Sequence, residues 1–148
     1  MDIQAAYGEY LAANNHEYRV TSEIEDCSLA EIPFMRVGYA LDAFVTPADA
    51  AAALADVAMI DELVTAEGFS AGTQSELLPN TYYTANTSAC DMEAIAAVTY
   101  WQRGRFVARL IVVTPIESPL APDAWLYEVV GLRLYEPVLT DILRREIR

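Results

Sequence analysis

The segment 93–114 constrains the fold of this chain more than any other. It consists of two apolar runs, rich in β-branched and aromatic residues, which the sequence Gln-Arg-Gly-Arg joins at 102–105. Such runs are typical of β-strands, and Gly104 can supply the positive φ that a tight connection between antiparallel strands requires. We therefore predict a β-hairpin in which Trp101 and Phe106 are cross-strand neighbours.

Both faces of this hairpin are mostly apolar if Arg103 and Gly104 form its loop. One face holds Ile95, Ala97, Thr99, Trp101, Phe106, Ala108, Leu110 and Val112, and the other holds Ala96, Val98, Tyr100, Val107, Arg109 and Ile111. A sheet with one solvent-exposed face would instead alternate apolar and polar residues along each strand. Each face must therefore be covered, the second one by further helix, by a curved sheet that closes on itself, or by another subunit in a homodimer.

Periodicity and capping signals predict the other elements. The predicted order is helix 2–14, strands 17–24 and 34–44, a long helix from Thr46 to Gly68, a strand at 80–87, the hairpin, a strand within 124–135 and a last helix from Glu136. For 124–135 a helix stays open as the alternative, because Pro122 and Asp123 before it would suit a helix start. We predict a single α+β domain over 1–148, with a curved antiparallel sheet of about five strands and helices mainly on one face.

Length and composition narrow the class of protein. The 148 residues suffice for one domain with its own core, and 54% of them are hydrophobic, which argues against disorder. No run approaches the ~18 apolar residues of a membrane span, and the N-terminus lacks a basic region followed by an apolar one. Cys27 and Cys90 have no cysteine or histidine near them in sequence. We therefore expect a cytoplasmic protein with two reduced, structural thiols.

The sequence offers no recognisable catalytic or cofactor-binding set. Because there is no lysine, Schiff-base chemistry and a phosphate-loop lysine are excluded. His16 is the single histidine, which excludes sites with two histidine ligands, and its polar surroundings suggest an exposed loop. Glycine-rich nucleotide motifs and the nucleophile elbow are also absent. We expect no catalytic residue, no metal and no cofactor, and a non-enzymatic protein is favoured.

The charge distribution suggests one function. The formal net charge is −13, and the segment 37–102 contains nine acids but no lysine or arginine. Such a field repels nucleic acid and anionic membranes and attracts basic surfaces. The first hypothesis is a protein–protein interaction module that acts on a basic protein partner, as an inhibitor and nucleic-acid mimic or as a chaperone-like protein. The acids predicted to bind this partner are Asp49, Asp56, Asp61, Glu62 and Glu67.

A second hypothesis comes from the aromatic residues. Tyr82, Tyr83 and Trp125, together with Arg109, could line a pocket or an interface. The protein would then bind a small molecule, or be a carboxylate-dependent enzyme, with a tyrosine-lined pocket between sheet and helices. A pocket with converging polar groups would favour this hypothesis, whereas a filled core beside a continuous acidic face would favour the first.

Overall fold

The chain folds into one antiparallel sheet with helices on both faces. The computed structural model describes residues 3–27, 35–70, 72–78, 81–117, 120–129 and 134–146. Its elements are α1 (Ile3–Ala13), β1 (His16–Glu25), β2 (Arg36–Phe44), α2 (Pro47–Ala55), α3 (Val57–Ala66), β3 (Tyr82–Ala89), β4 (Met92–Arg103), β5 (Phe106–Pro115), α4 (Pro122–Val129) and α5 (Tyr135–Glu146). The strand order is β1-β2-β5-β4-β3, which confirms the α+β class and the five strands.

The helices cover both faces of the sheet and do not lie mainly on one of them. Helices α1, α2 and α3 pack on the face that carries Val98 and Val107, which we call the three-helix face. Helices α4 and α5 pack on the opposite, two-helix face, over Leu110 and Val112. The apolar character of both hairpin faces is thus explained by helices of the same chain. A homodimer stays a prediction, but the apolar faces no longer require one.

The hairpin is confirmed, with a different register from the predicted one. Arg103 pairs with Phe106 and Trp101 pairs with Ala108, so the predicted pairing of Trp101 with Phe106 is wrong. Gly104 has a φ of 59° and occupies the first of two loop positions, so Arg103 belongs to the strand. The shift moves the pairing by two residues. Each side chain therefore stays on its predicted face, because side chains alternate with a period of two.

The positive φ of Gly104 gives a simple prediction about stability. A Cβ atom at this position would meet no atom within 4 Å, so a side chain there is opposed by the backbone conformation alone. We expect Gly104→Val to lower the free energy of unfolding by about 1–2 kcal/mol, measured by urea denaturation, since β-branched residues tolerate this conformation poorly. Gly104→Asn should cost less, because asparagine adopts positive φ more readily. Equal stability of Gly104→Val and the unmutated chain would contradict the prediction.

The long helix predicted from Thr46 is two helices. The capping box of Thr46 and Asp49 opens α2 as expected. At Asp56, however, φ is −81° and ψ is 73°, which interrupts the helix. The Asp56 side chain accepts a hydrogen bond from the backbone N–H of Met59 at 3.2 Å and so caps α3. An aspartate inside an apolar periodic stretch can thus restart a helix as well as continue it.

The predicted strand within 124–135 is wrong for the residues that the structure describes there. Residues 122–129 form α4, and residues 130–133 lie outside the described part. Pro122 and Asp123 stand in the first turn of α4, where they favour a helix start. Trp125 and Leu126 bury their side chains against the sheet from this helix. None of the described helices is long and apolar enough to cross a membrane.

Cys27 and Cys90 form a disulfide, so the prediction of two free thiols is wrong. Their Cα atoms are 5.5 Å apart, although 63 positions separate them in sequence. Cys27 follows β1, and Cys90 lies in the two-residue turn between β3 and β4. Because the strands are antiparallel, these two points share one end of the sheet. We call it the disulfide end.

Candidate ligand groove

A groove of about 370 Å³ opens on the three-helix face at the disulfide end. Its floor comes from central and edge strands and includes Ala85, Ala96, Ile111 and Val113. One wall is the end of α3 with the following residues 67–69, and the other side carries charged residues of β1 and β2. The groove is therefore the part of this sheet face that the three helices leave open.

The floor of the groove is recessed because short alanine side chains form part of it. In one row, Arg36 of β2 pairs with Val113, Val113 pairs with Ala96, and Ala96 pairs with Ala85. Side chains of paired residues stand side by side on the same face of a sheet. The two short alanine side chains leave an empty volume above them, and Arg36, on the far side of Val113, lines the same groove.

Gly38 determines where Glu23 lies. The two residues are direct cross-strand partners. A Cβ atom at Gly38 would lie 2.5 Å from the Ser22 carbonyl oxygen and 2.6 Å from Cγ of Glu23. Since real Cβ atoms do not approach other atoms so closely, only glycine lets the Glu23 stem occupy this position. Glu23 thereby lines the groove.

The groove contains four charged side chains, two of which neutralise each other. Arg109 Nη2 donates to Glu67 Oε2 at 2.7 Å, and the Arg109 guanidinium carbon lies 6.0 Å from the centre of the Phe69 ring. In contrast, neither the Arg36 nor the Glu23 side chain has a hydrogen-bond or ion-pair partner among the described residues. The groove thus presents one positive and one negative group that are available to a ligand.

The structure does not bring the four predicted pocket residues together. Arg109 lies in the groove. Tyr83 is buried in the core of the same face and donates to Asp61 Oδ1 at 2.6 Å; burial and this hydrogen bond raise the pKa of Tyr83. Tyr82 and Trp125 belong to the core of the two-helix face. A tyrosine-lined pocket is therefore absent at these positions, and the tyrosines serve the core.

Two of the acids predicted to bind a partner cap helices. Asp49 belongs to the capping box of α2, and hydrogen bonds from Thr46 and Asn15 hold the pKa of its carboxyl below the usual range. Asp56 caps α3. Both carboxylates therefore accept hydrogen bonds within the chain, and charge reversal at Asp56 would remove a cap as well as a surface charge.

Two more of these acids are engaged with the sheet. Asp61 accepts the hydrogen bond from Tyr83, and Glu67 pairs with Arg109. Glu62 is exposed and has no hydrogen-bond or ion-pair partner in the described part of the chain. Four of the five acids thus have structural roles, which gives less support to a dedicated acidic binding face. Binding of a partner by these residues stays a prediction.

A buried charge cluster surrounds Asp42, at residues that none of the sequence predictions selected as a site. This aspartate is 3% exposed, and it lies on β2 directly opposite Arg19 of β1. Arg19 donates to both carboxylate oxygens, at 2.8 and 2.9 Å, and His16 Nε2 lies 2.9 Å from Oδ1. His16 is therefore not an exposed loop residue. The cluster holds β1 on β2, and we assign it a structural role.

A wider and more open groove lies on the two-helix face. It has a volume of about 680 Å³ between the outer strands and α5. Its central carboxylate, Asp141, accepts hydrogen bonds from Tyr39 at 2.9 Å and from Arg145 at 2.8 Å. Burial, followed by the bond to Asp141, raises the pKa of Tyr39. Because this carboxylate is already satisfied and the groove is open to solvent, it is the weaker candidate.

Comparison with known proteins leaves the function open. The chain matches no family model and no curated protein. Among solved structures, it is similar to the extracellular domain of PknH from Mycobacterium tuberculosis. That similarity has a TM-score of 0.41 and 11% sequence identity, and it covers 87% of this chain and 91% of the other. At this level it carries no argument about what the present protein does.

Proposed function

We propose that this protein is a non-enzymatic small-molecule-binding domain whose ligand occupies the groove on the three-helix face. The observation that carries the proposal is an apolar floor flanked by Arg36 and Glu23, two charged groups without partners in the described chain. Ligand sites are typically concave and combine apolar surface with polar groups that orient the ligand, and polar groups of Asn86, Thr87 and Ser88 also line this groove. The volume of about 370 Å³ lies at the lower end of the range for such sites, which favours a small ligand.

The basic-partner hypothesis has weaker support. Its five acids do not form a set of unpaired charges, because four of them have partners within the chain. The high net negative charge also has a simpler role in keeping the protein soluble. Ligand binding instead relies on the Arg36 and Glu23 side chains, which have no partner within the described part of the chain.

We also propose that the protein functions in an oxidising compartment. The sequence favoured the cytoplasm because Cys27 and Cys90 were expected to be reduced. The disulfide supports the opposite setting, since disulfides persist in secreted and extracytoplasmic proteins and are rare in the cytoplasm.

Thermal denaturation in the presence of defined compounds tests ligand binding. The compounds are free amino acids, dicarboxylic acids, sugars, nucleotides and polyamines, each class measured separately. We expect at least one class to raise the melting temperature of the unmutated protein by several degrees, because a ligand at about 100 times its Kd stabilises by ~2.7 kcal/mol. If no class changes the melting temperature, the proposal is wrong.

A groove-filling variant makes this test specific. Ala85 is half-buried on the edge strand β3, so Ala85→Trp should fill the groove while the fold is kept. We expect this variant to lose the ligand-induced shift. Ala52→Trp, the same substitution at an exposed position of α2 outside the groove, is the matched control and should keep the shift. An unchanged response of Ala85→Trp would place the ligand elsewhere.

A further inference from the structure

We infer that the ligand is a free α-amino acid with an apolar side chain. The inference rests on the proposed function and names the ligand class of the same groove. It follows from the positions of one guanidinium, one carboxylate and an apolar floor, which together match the three parts of such a molecule.

The two charged groups are close enough for one small ligand to reach both. Glu23 pairs with Gly38 and Glu25 pairs with Arg36, so Glu23 and Arg36 are diagonal neighbours on adjacent strands. Diagonal neighbours on one face of a sheet are about 7–8 Å apart. An α-amino acid carries its ammonium and carboxylate groups on a single carbon. It can therefore be bound by both side chains at once.

The chemistry of each group assigns one end of the ligand. The planar guanidinium of Arg36 matches a carboxylate, which it can bind through two parallel hydrogen bonds. The Glu23 carboxylate accepts hydrogen bonds from an ammonium group. In the structure Arg36 lines the groove and makes no ion pair with Glu25, its direct cross-strand partner. Arg36 thus lines the groove without being neutralised by its neighbour on the edge strand.

The floor selects the ligand side chain. Ala96, Ile111 and Val113 offer apolar surface, and the polar residues that also line the groove, Asn86, Thr87 and Ser88, carry no charge. Burial of a charged side chain against them would be costly without a partner. Arg109 supplies no uncompensated charge, because Glu67 neutralises it, although Arg109 Nε is buried without a hydrogen-bond acceptor among the described residues. An apolar side chain, in contrast, is stabilised by contact with this floor.

The charge of the whole protein favours a zwitterion over a simple anion. With a formal net charge of −13, the chain repels anions at long range. A free amino acid carries no net charge at neutral pH, so this repulsion does not oppose its approach. The ligand can then bind Arg36 without the electrostatic disadvantage of a plain carboxylate.

Isothermal titration with four probes tests the inference. The probes are leucine, 4-methylpentanoate, which lacks the ammonium group, leucine amide, which lacks the carboxylate, and glycine, which lacks the apolar side chain. We expect leucine to bind and each of the other three to bind at least about tenfold more weakly, since a charge-assisted hydrogen bond or a buried aliphatic side chain contributes this much.

Charge-neutralising variants assign the contacts. Arg36→Gln and Glu23→Gln should each weaken leucine binding at least about tenfold. The matched controls are Arg103→Gln and Glu62→Gln, which make the same charge changes at exposed positions outside the groove and should bind leucine like the unmutated protein. Arg36→Gln should not further weaken leucine amide. A loss for leucine amide equal to that for leucine would overturn the assignment of Arg36.

Failure of the inference can be distinguished from failure of the proposed function. If 4-methylpentanoate binds as tightly as leucine, Glu23 does not bind an ammonium group and the inference falls, while ligand binding in the groove stands. If none of the four probes binds but another compound class stabilises the protein through the groove, again only the inference falls. If no class of compound stabilises the protein, both the proposed function and the inference about its ligand are wrong.

Discussion

Replacement of Asp42 by alanine is expected to lower the free energy of unfolding by about 2–3 kcal/mol. Asp42 is 3% exposed and accepts hydrogen bonds from Arg19 at 2.8 and 2.9 Å. Its removal leaves Arg19 and His16 without their shared acceptor. We place the loss below the 3–5 kcal/mol typical of a broken buried pair, because the Arg19 side chain is 38% exposed and can be hydrated.

Urea denaturation at pH 7 measures this loss. Glu62→Ala, which removes an exposed acid, should stay within about 0.5 kcal/mol of the unmutated protein. The losses of Asp42→Ala and Arg19→Ala should not add in the double variant, since the two residues act as a pair. A stability of Asp42→Ala equal to that of the unmutated protein would show that the cluster does not hold β1 on β2.

Loss of the disulfide is expected to destabilise the protein by about 4 kcal/mol. The bond joins residues 63 positions apart, and closure of a loop of this length removes much conformational entropy from the unfolded chain. The loss corresponds to a decrease in melting temperature of roughly 10–15 °C for a domain of this size. It should be seen for the unmutated protein in reductant and for the double variant Cys27→Ser/Cys90→Ser.

Calorimetry with and without reductant checks this expectation. Reductant should lower the melting temperature of the unmutated protein and leave that of the double variant unchanged. Cys90 and Asp91 have φ values of 52° and 59°, so part of the loss at position 90 could come from the backbone. Cys90→Asn, which tolerates positive φ, separates the two effects when compared with Cys90→Ser. Two titratable thiols in the native, air-oxidised protein would contradict the disulfide.

Local signals predicted much of the fold. Thr46, Pro47 and Asp49 mark a helix start through short-range hydrogen bonds and a fixed φ, and α2 begins there. The apolar pattern of 93–114 placed each side chain on its correct face, because alternation is a local property of strands. The predicted hairpin register was wrong, since the register depends on which residue takes the first loop position, and Gly104 fits either of two positions.

The site depends on long-range pairing, which the sequence does not display. The groove exists because β2, β5, β4 and β3 place Arg36, Val113, Ala96 and Ala85 in one row. The strands containing these residues and the hairpin of β4 and β5 were predicted, but the places of β2 and β3 in the sheet and the observed registers were not. Cys27 and Cys90 likewise meet only because β1 and the β3–β4 turn end on the same side of the sheet. Arg109 was selected because it is a charge on an apolar face, and it is the predicted pocket residue that lies in the groove.

The most direct test of ligand binding in the groove is a two-dimensional ¹⁵N–¹H NMR titration of the oxidised protein with leucine, or with the compound that gives the largest thermal shift. We expect the largest chemical-shift changes at the floor residues Ala85, Ala96, Ile111 and Val113, and unchanged signals at the hairpin loop, Gly104 and Arg105, at the opposite end of the sheet. Changes concentrated on the exposed surface of α2 and α3, with the floor residues unaffected, would contradict the assignment of the groove as the ligand site.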